Sequence, residues 1–374
     1  MHHESIHLVF SGGGTGGHLF PGLAVAEQFA AMIPNARITF VGSGKPFEQR
    51  HVARAGFEYL TLPSRPLPSA AREAVAFVVE NLAGYLAAGR FLRDERAAAV
   101  VGLGGYASAP MAKAAIQHRV PLVLLEQNAV PGRATRWLAR NATLVCAAFE
   151  ETCQPLHCRC PLRVTGNPVR KGFHRGKSQG IQRRQIVILG GSGGAHSLNE
   201  SVPLALYKVR ERLRGWRVVH QSGEADVAAT QTLYRKLALE AIVTPFLADM
   251  PGVLAATDLV VCRAGGTTLA ELAVAGVPGV FLPYPHAADD HQLANANVFA
   301  TAGAGVTIDQ RVAPDQCDDR MAAALEPLLS DPALRGRMSS AMSNLARPTA
   351  AVDVADLIWS IVSSRSRQAQ LAVA

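Results

Sequence analysis

The chain is 374 residues long, 49% hydrophobic and 18% charged, with a formal net charge of +8. That length exceeds what one hydrophobic core usually serves, so two domains are expected, and that balance excludes an intrinsically disordered chain. The charge excess is local: no Asp or Glu lies between Thr152 and Asn199, while Arg159, Arg163, Arg170, Lys171, Arg175, Lys177, Arg183 and Arg184 do, which marks a basic connector that suits an anionic ligand better than a DNA-reading face; most of it reads as a solvated linker, and only Arg170 is singled out.

The opening residues, MHHESIH, hold no basic segment followed by an apolar one, and a strand follows at once, so the expectation is an unprocessed cytoplasmic chain. IHLVFS reads as that strand, GGGTGGH as a tight turn and FPGLAVAEQFAAMI as a helix. ITFVGS, AAVVGLGG, LVLLEQ and LVCAA are further short apolar runs without alternation, as expected of parallel strands buried on both faces. Between them, SAAREAVAFVVENLAGYLAAGRFLRDER is helical and unusually apolar. Glu80 interrupts it and Arg90 and Arg93 follow, which makes it too charged to be expected as a span of about 20 apolar residues.

After the basic stretch the pattern restarts with QIVILGG, WRVVHQSG, AIVTPF, LVVCRAGG and GVFLPYP, interleaved with helical segments such as TLAELAVAG. Repeated strand–helix units predict an α/β protein of two Rossmann-like, doubly wound domains. The expected division is residues 1–165 and 166–348, with a helix over about 349–374 (Ala350, Val352, Val354, Leu357, Ile358, Ile361) packing back on the first domain.

Four glycine-rich turns follow strands: 12–17, 102–105 (GLGG), 190–194 (GGSGG) and 264–268 (AGGTT). Without Cβ atoms, such turns let backbone N–H groups approach a phosphate or sugar at the positive end of a helix. A dinucleotide is disfavoured because the second strand, ITFVGSG, ends without the acid that would hold a ribose. Glu271, one helical turn after AGGTT, is better placed to accept two ribose hydroxyls; the alternative is an ordinary exposed glutamate near a helix start. Asp289, His291, Gln292 and Asn295 gather at the opening of another helix, where they could meet a sugar. Cys146, Cys153, Cys158, Cys160, Cys262 and Cys317 read as reduced thiols; CQPLHCRC, with His157 inside it, lacks the paired spacing of a metal site.

Taken together and in order, GGGTGGHLFPGLAVAE, GLGGYASAP, LEQNAVPGRATRWLA, GNPVR, GGSGGAHSLNE, DMPGVLAATDLVVCRAGGTTLAEL and DDHQLANA resemble the bacterial transferases that add N-acetylglucosamine to lipid I, forming lipid II for peptidoglycan. The likeness runs from about residue 6 to 306. It implies a GT-B fold whose two domains face across a cleft. The donor would be UDP-N-acetylglucosamine and the acceptor undecaprenyl-pyrophosphoryl-N-acetylmuramyl-pentapeptide, joined by inverting β-1,4 transfer with no cofactor and no catalytic metal. On the matching positions, it implies that Thr15, Gly16, Gly17, Asn128, Arg170, Ser192, Leu247, Gly266, Thr267, Thr268, Glu271 and Gln292 bind the donor. Gly14, Thr15, His18, Gly104, Gly105, Tyr106, Glu126 and Asn128 would bind the acceptor. Ala195-His196 stands where the family often has Ala-Arg, and His291 where some members have Gln.

His18 is the expected general base, since a helix start disfavours the imidazolium; the alternative is that it hydrogen-bonds substrate or caps the helix. The family docks on membranes through an apolar patch with a basic rim. Val75, Val78, Val79, Leu82, Tyr85 and Leu86, bordered by Arg72, Arg90 and Arg93, have that character, and could equally fill the domain core. The implied place is the cytoplasmic face of the cell's inner membrane, held peripherally, with cell-wall synthesis and division proteins as candidate partners and no nucleic acid. A diacylglycerol glycosyltransferase, a UDP-N-acetylglucosamine 2-epimerase, which needs cleft acids for proton abstraction, and an inactive nucleotide-sugar-binding subunit are the alternatives.

Overall fold

The computed structural model describes residues 6–68, 70–154, 156, 158–174, 184–191 and 193–373, with side chains to residue 365. They fall into two compact units. One runs to Arg170 and resumes at Pro348; the other is Lys171–Arg347. The first division lies a few residues beyond the junction expected at 165.

The first unit is built on seven parallel strands: β1 (His7–Ser11), β2 (Arg37–Gly42), β3 (Glu58–Thr61), β4 (Ala99–Gly102), β5 (Leu122–Glu126), β6 (Leu144–Ala147) and β7 (Leu162–Val164), in the order β3-β2-β1-β4-β5-β6-β7. Its helices are α1 (Gly16–Met32), α2 (Pro46–Arg54), α3 (Ala74–Asp94), α4 (Ala109–Gln117) and α5 (Arg133–Leu138). β1 and β4 are buried throughout because helices cover both faces of the sheet. On one face Phe10 stacks on Phe40 with ring centroids 5.1 Å apart, in a cluster that also takes Val25, Ala26 and Phe29 of α1.

The second unit repeats the plan with β8 (Gln185–Leu189), β9 (Arg217–Gln221), β10 (Ile242–Thr244), β11 (Leu259–Cys262), β12 (Gly279–Phe281) and β13 (Gly305–Thr307), in the order β10-β9-β8-β11-β12-β13. Its helices are α6 (His196–Lys208), α7 (Val227–Lys236), α8 (Met250–Ala255), α9 (Gly266–Ala275), α10 (His291–Thr301), α11 (Cys317–Ser330) and α12 (Pro332–Asn344). The chain then closes with α13 (Ala350–Val373), whose Val354, Ala355, Ile358 and Val362 enter the first unit's core beside α1.

All ten expected strands form. The three that the sequence did not disclose, β3, β7 and β13, are sheet edges. Each is short and partly solvated, so its residues need not be uniformly apolar. In both sheets strand order reverses next to the first strand, between β1 and β4 and between β8 and β11. Crevices beyond the carboxyl ends of such strands are where doubly wound sheets bind ligands. All four glycine-rich turns lie at those ends.

Candidate active site

In the first unit, β1 delivers the chain into the glycine turn and Thr15 serves as N-cap of α1 with extended backbone. His18 is in the first turn of that helix. Its Nδ1 lies 3.2 Å from Thr15 Oγ1, and the ring packs on the turn after β4. Gly104 has φ of +91°, a conformation that favours glycine, and a Cβ there would stand 3.0 Å from His18 Cδ2 and press on the ring. Gly105 and the half-buried Tyr106 continue this turn. Thr15, Gly104, Gly105, Tyr106 and His18 are thus brought together at the β1/β4 crevice.

The turn after β5 joins them, in part through Gln127 and Thr152, side chains that the sequence reading did not single out. Buried Gln127 donates through Nε2 to Leu103 O (3.0 Å) and Leu125 O (3.3 Å), tying the β5 turn to the β4 turn. Glu126 is buried, and its carboxylate accepts from Asn128 N (3.1 Å), Asn128 Nδ2 (3.1 Å) and Gly132 N (3.0 Å), so both oxygens are engaged in shaping the loop that presents Asn128. Buried Thr152 adds a hydroxyl bond to Asn128 O at 2.9 Å. The Gly14 N–H, expected to face substrate, is instead donated to Glu48. At the end of the unit, the Arg170 guanidinium carbon lies over the ring of Phe20 of α1, 3.9 Å from its centroid.

In the second unit the turn after β8 meets the turn after β9. A Cβ at Gly194, φ +79°, would stand 2.1 Å from Ser222 O, so no other residue permits this approach. Gln221 Nε2 donates to Gly191 O (3.1 Å) and Asn199 Nδ2 to Ser222 O (2.9 Å), fastening the two turns. Ser192 lies outside the described residues, as do His157, Arg175, Lys177 and Arg183.

Gly266 and Thr267 are buried and Thr268 half-buried at the start of α9, with Glu271 buried one turn on and not an exposed helix glutamate. Gln292, in the first turn of α10, accepts from Tyr284 N through Oε1 (2.9 Å). His291 Nδ1 bonds Ala288 O at 2.8 Å. Asn295 corrects an expectation: it is fully buried and donates to Ala264 O (3.1 Å), anchoring α10 under the AGGTT turn instead of meeting a sugar. Leu247 is half-buried in the loop following β10.

Arg263, inside the quoted motif yet unremarked there, organises this end of the sheet. Its guanidinium donates to Leu282 O (2.9 Å), Pro283 O (3.0 Å), Gln310 Oε1 (2.6 Å) and Ser197 Oγ (2.6 Å). Burial lowers its pKa to about 10, which leaves it charged at neutral pH. All six cysteines are free, and no group of three metal-ligating side chains occurs among the described residues.

On α3, Val75 (72% exposed), Val78, Val79, Leu82 and Leu86 face outward, and Arg72, Arg90 and Arg93 are exposed. Tyr85 is a correction, since it packs against the core cluster of Ala88 and Leu92 and leaves the patch. Glu80, the interrupting acid, pairs with Arg65 at 2.9 Å. By length and composition alone residues 71–94 could cross a membrane, so charge does not exclude a span as expected; but Gly84, Ala88, Gly89 and Leu92 bury one face of the helix within the domain.

Residues 8–147 match the glycosyltransferase family 28 N-terminal domain and residues 185–354 its C-terminal domain. The UDP-N-acetylglucosamine–N-acetylmuramyl-(pentapeptide) pyrophosphoryl-undecaprenol N-acetylglucosamine transferase of Geobacter sulfurreducens is 36% identical over 357 residues, covering 93% of this chain and 97% of the relative. The protein of the same name from Methylococcus capsulatus is 39% identical over 356 residues, covering 93% and 96%. Among solved structures, Acinetobacter baumannii MurG aligns with a TM-score of 0.74 at 32% identity over 95% of this chain and 99% of that one.

Proposed function

Because the chain belongs to glycosyltransferase family 28, we propose that it is a hexosyltransferase that moves N-acetylglucosamine from UDP-N-acetylglucosamine to the 4-hydroxyl of the N-acetylmuramyl residue of lipid I, forming lipid II. The observation that carries the reading is likeness along nearly the whole chain, at 36% and 39% identity, to transferases named for this reaction.

The acceptor hydroxyl attacks the anomeric carbon of the donor, the bond to the UDP oxygen breaks, and configuration inverts. His18 takes the hydroxyl proton on Nε2, because Nδ1 is turned to Thr15. Arg170, with the turn before α6, balances the charge that develops on the leaving diphosphate. Glu271 accepts the ribose hydroxyls, Gln292 meets the sugar hydroxyls, and the backbone at Leu247 meets the uracil. Gly266, Thr267 and Thr268 supply the α9 N-terminus to the donor. Thr15, Gly16, Gly17 and Asn128 meet the transferred sugar, and Gly104, Gly105 and Tyr106 the acceptor.

Lipid I is membrane-anchored, so the enzyme works at a membrane surface. The exposed valines and leucines of α3, rimmed by Arg72, Arg90 and Arg93, fit peripheral docking on the anionic cytoplasmic face.

Incubating the purified protein with UDP-N-acetylglucosamine and a lipid I analogue tests the reading. One UDP should appear per β-1,4-linked disaccharide product, and none in turnover without acceptor. Transfer to diacylglycerol, epimerisation of the donor, or binding without turnover would overturn it.

A further inference from the structure

The glycine turn that carries Thr15 and His18 has a buried carboxylate behind it. Glu48, on α2, is fully buried. Its Oε1 accepts the Gly14 N–H and the Ser43 hydroxyl (3.0 Å), and its Oε2 accepts the Ser43 N–H (3.0 Å) and the Tyr59 hydroxyl. Tyr59 in turn accepts from Gly44 N at 2.9 Å, and burial with the Glu48 contact pushes its phenol pKa up, which keeps it a donor.

Two of these donors, Gly14 N–H and Ser43 N–H, are backbone groups on opposite oxygens and cannot reverse polarity. An amide in place of the carboxylate would aim its NH₂ at one of them in either orientation. Only a carboxylate offers acceptors on both sides, so the site specifies Glu by chemistry as well as volume. On the solvent side of the same turn Lys45 Nζ donates to Gly14 O at 3.1 Å, so Gly14 is gripped from both its N–H and its carbonyl.

We propose that Glu48 is a positioning residue for the transfer reaction: by holding Gly14 it sets the path of the turn and thereby the place of the Thr15–His18 pair one residue on. The inference rests on the reading of His18 as the base. It assigns to Glu48 no contact with substrate.

Glu48→Gln tests it by steady-state kinetics on the full chain. Turnover should fall on the order of 10- to 100-fold, the scale of a misplaced catalytic group. The donor KM should stay within about twofold, since ground-state donor binding is not at stake. The acidic limb of the kcat–pH profile should move, because the Thr15–His18 contact is altered. Tyr59→Phe, which leaves the Gly14 bond in place, should lower thermal stability but hold kcat within about threefold. A Glu48→Gln enzyme that loses thermal stability but keeps wild-type kcat and pH profile would overturn the inference. Should that variant not fold, Glu48→Asp, which keeps both oxygens but draws them back from Gly14, is measured in its place with the same two outcomes. If His18→Ala itself retains turnover, the underlying reading of the base fails; if His18→Ala is inactive and Glu48→Gln is wild type, only the positioning inference does.

Discussion

The Arg170 guanidinium rests 3.9 Å above the ring of Phe20, two residues after His18 on the same helix. Phe20 is itself set edge-on to Phe47, with centroids 5.9 Å apart, and to His51 at 5.3 Å, so the arginine sits on an aromatic platform fixed by α2. An arginine carrying a cation–π contact of this kind is held by about 0.5–2 kcal/mol. Phe20→Leu should therefore raise the donor KM by roughly 2- to 30-fold, with Phe20→Trp retaining most of the wild-type value. Donor titration of both variants decides the matter; equal losses would mean that packing, and not the π face, is what counts.

On the proposed reading, Arg170→Ala and Glu271→Ala remove charge-assisted contacts to the donor's diphosphate and ribose. Each should weaken donor binding by roughly 1.5–3 kcal/mol, with the fold retained by circular dichroism. Unchanged donor KM in both variants would refute their assignment.

His18→Ala should lower kcat by about 10²–10⁴ while donor binding survives. The requirement for a neutral imidazole should vanish from the pH–rate profile. Retention of the wild-type pH dependence with loss of acceptor affinity alone would make His18 a substrate-positioning group and place the base elsewhere.

On α3, Val79→Ser and Leu82→Ser should weaken sedimentation with anionic vesicles and slow turnover of membrane-borne lipid I, sparing a short-chain soluble acceptor. Both side chains are more than half exposed, so neither change opens a cavity. Equal losses on the two acceptors would point to a docking surface elsewhere.

His220 gives the second unit an acid-sensitive core. Asn199 Nδ2 donates to Ser222 O and to Asp226 Oδ2, so its Oδ1 accepts from His220 Nε2–H (3.0 Å), and His220 Nδ1 accepts from the Tyr234 hydroxyl (2.9 Å). The ring is thus neutral, and burial lowers its pKa from 6.5 to about 4. Above pH 6.5 neither folded nor unfolded chain binds this proton and stability is full. As pH falls toward 4 the unfolded chain binds it first, and about 3 kcal/mol should be lost. Denaturant titrations between pH 7 and 4 should show that slope in the wild type and its reduction in His220→Gln; parallel slopes would reject it.

The strand–helix alternation, both glycine-led openings, the nine interior strands and the edge strand β10 were legible in the chain, because a strand buried on both faces must be a continuous apolar run and a tight strand–helix turn must be rich in glycine. The other three edge strands were not: Glu58–Thr61, Leu162–Val164 and Gly305–Thr307 are half solvated and carry no such constraint. Composition also fixed α3 as apolar without saying which residues face out. Tyr85 and Val79 look alike in a helical register until the position of the core is known.

What the sequence by itself determined is the type of each local element and, through the order of its motifs, the family. What only the tertiary structure decided is which polar groups meet across distant segments: Glu48 with Gly14, Gln127 with Leu103, Arg263 with Ser197 and Gln310, Asn295 with Ala264. Hydrophobic periodicity records how a residue relates to its near neighbours in the chain. A buried hydrogen bond is satisfied by whatever partner the fold brings within reach, and residues as far apart as Ser197 and Gln310 carry no local mark of the pairing.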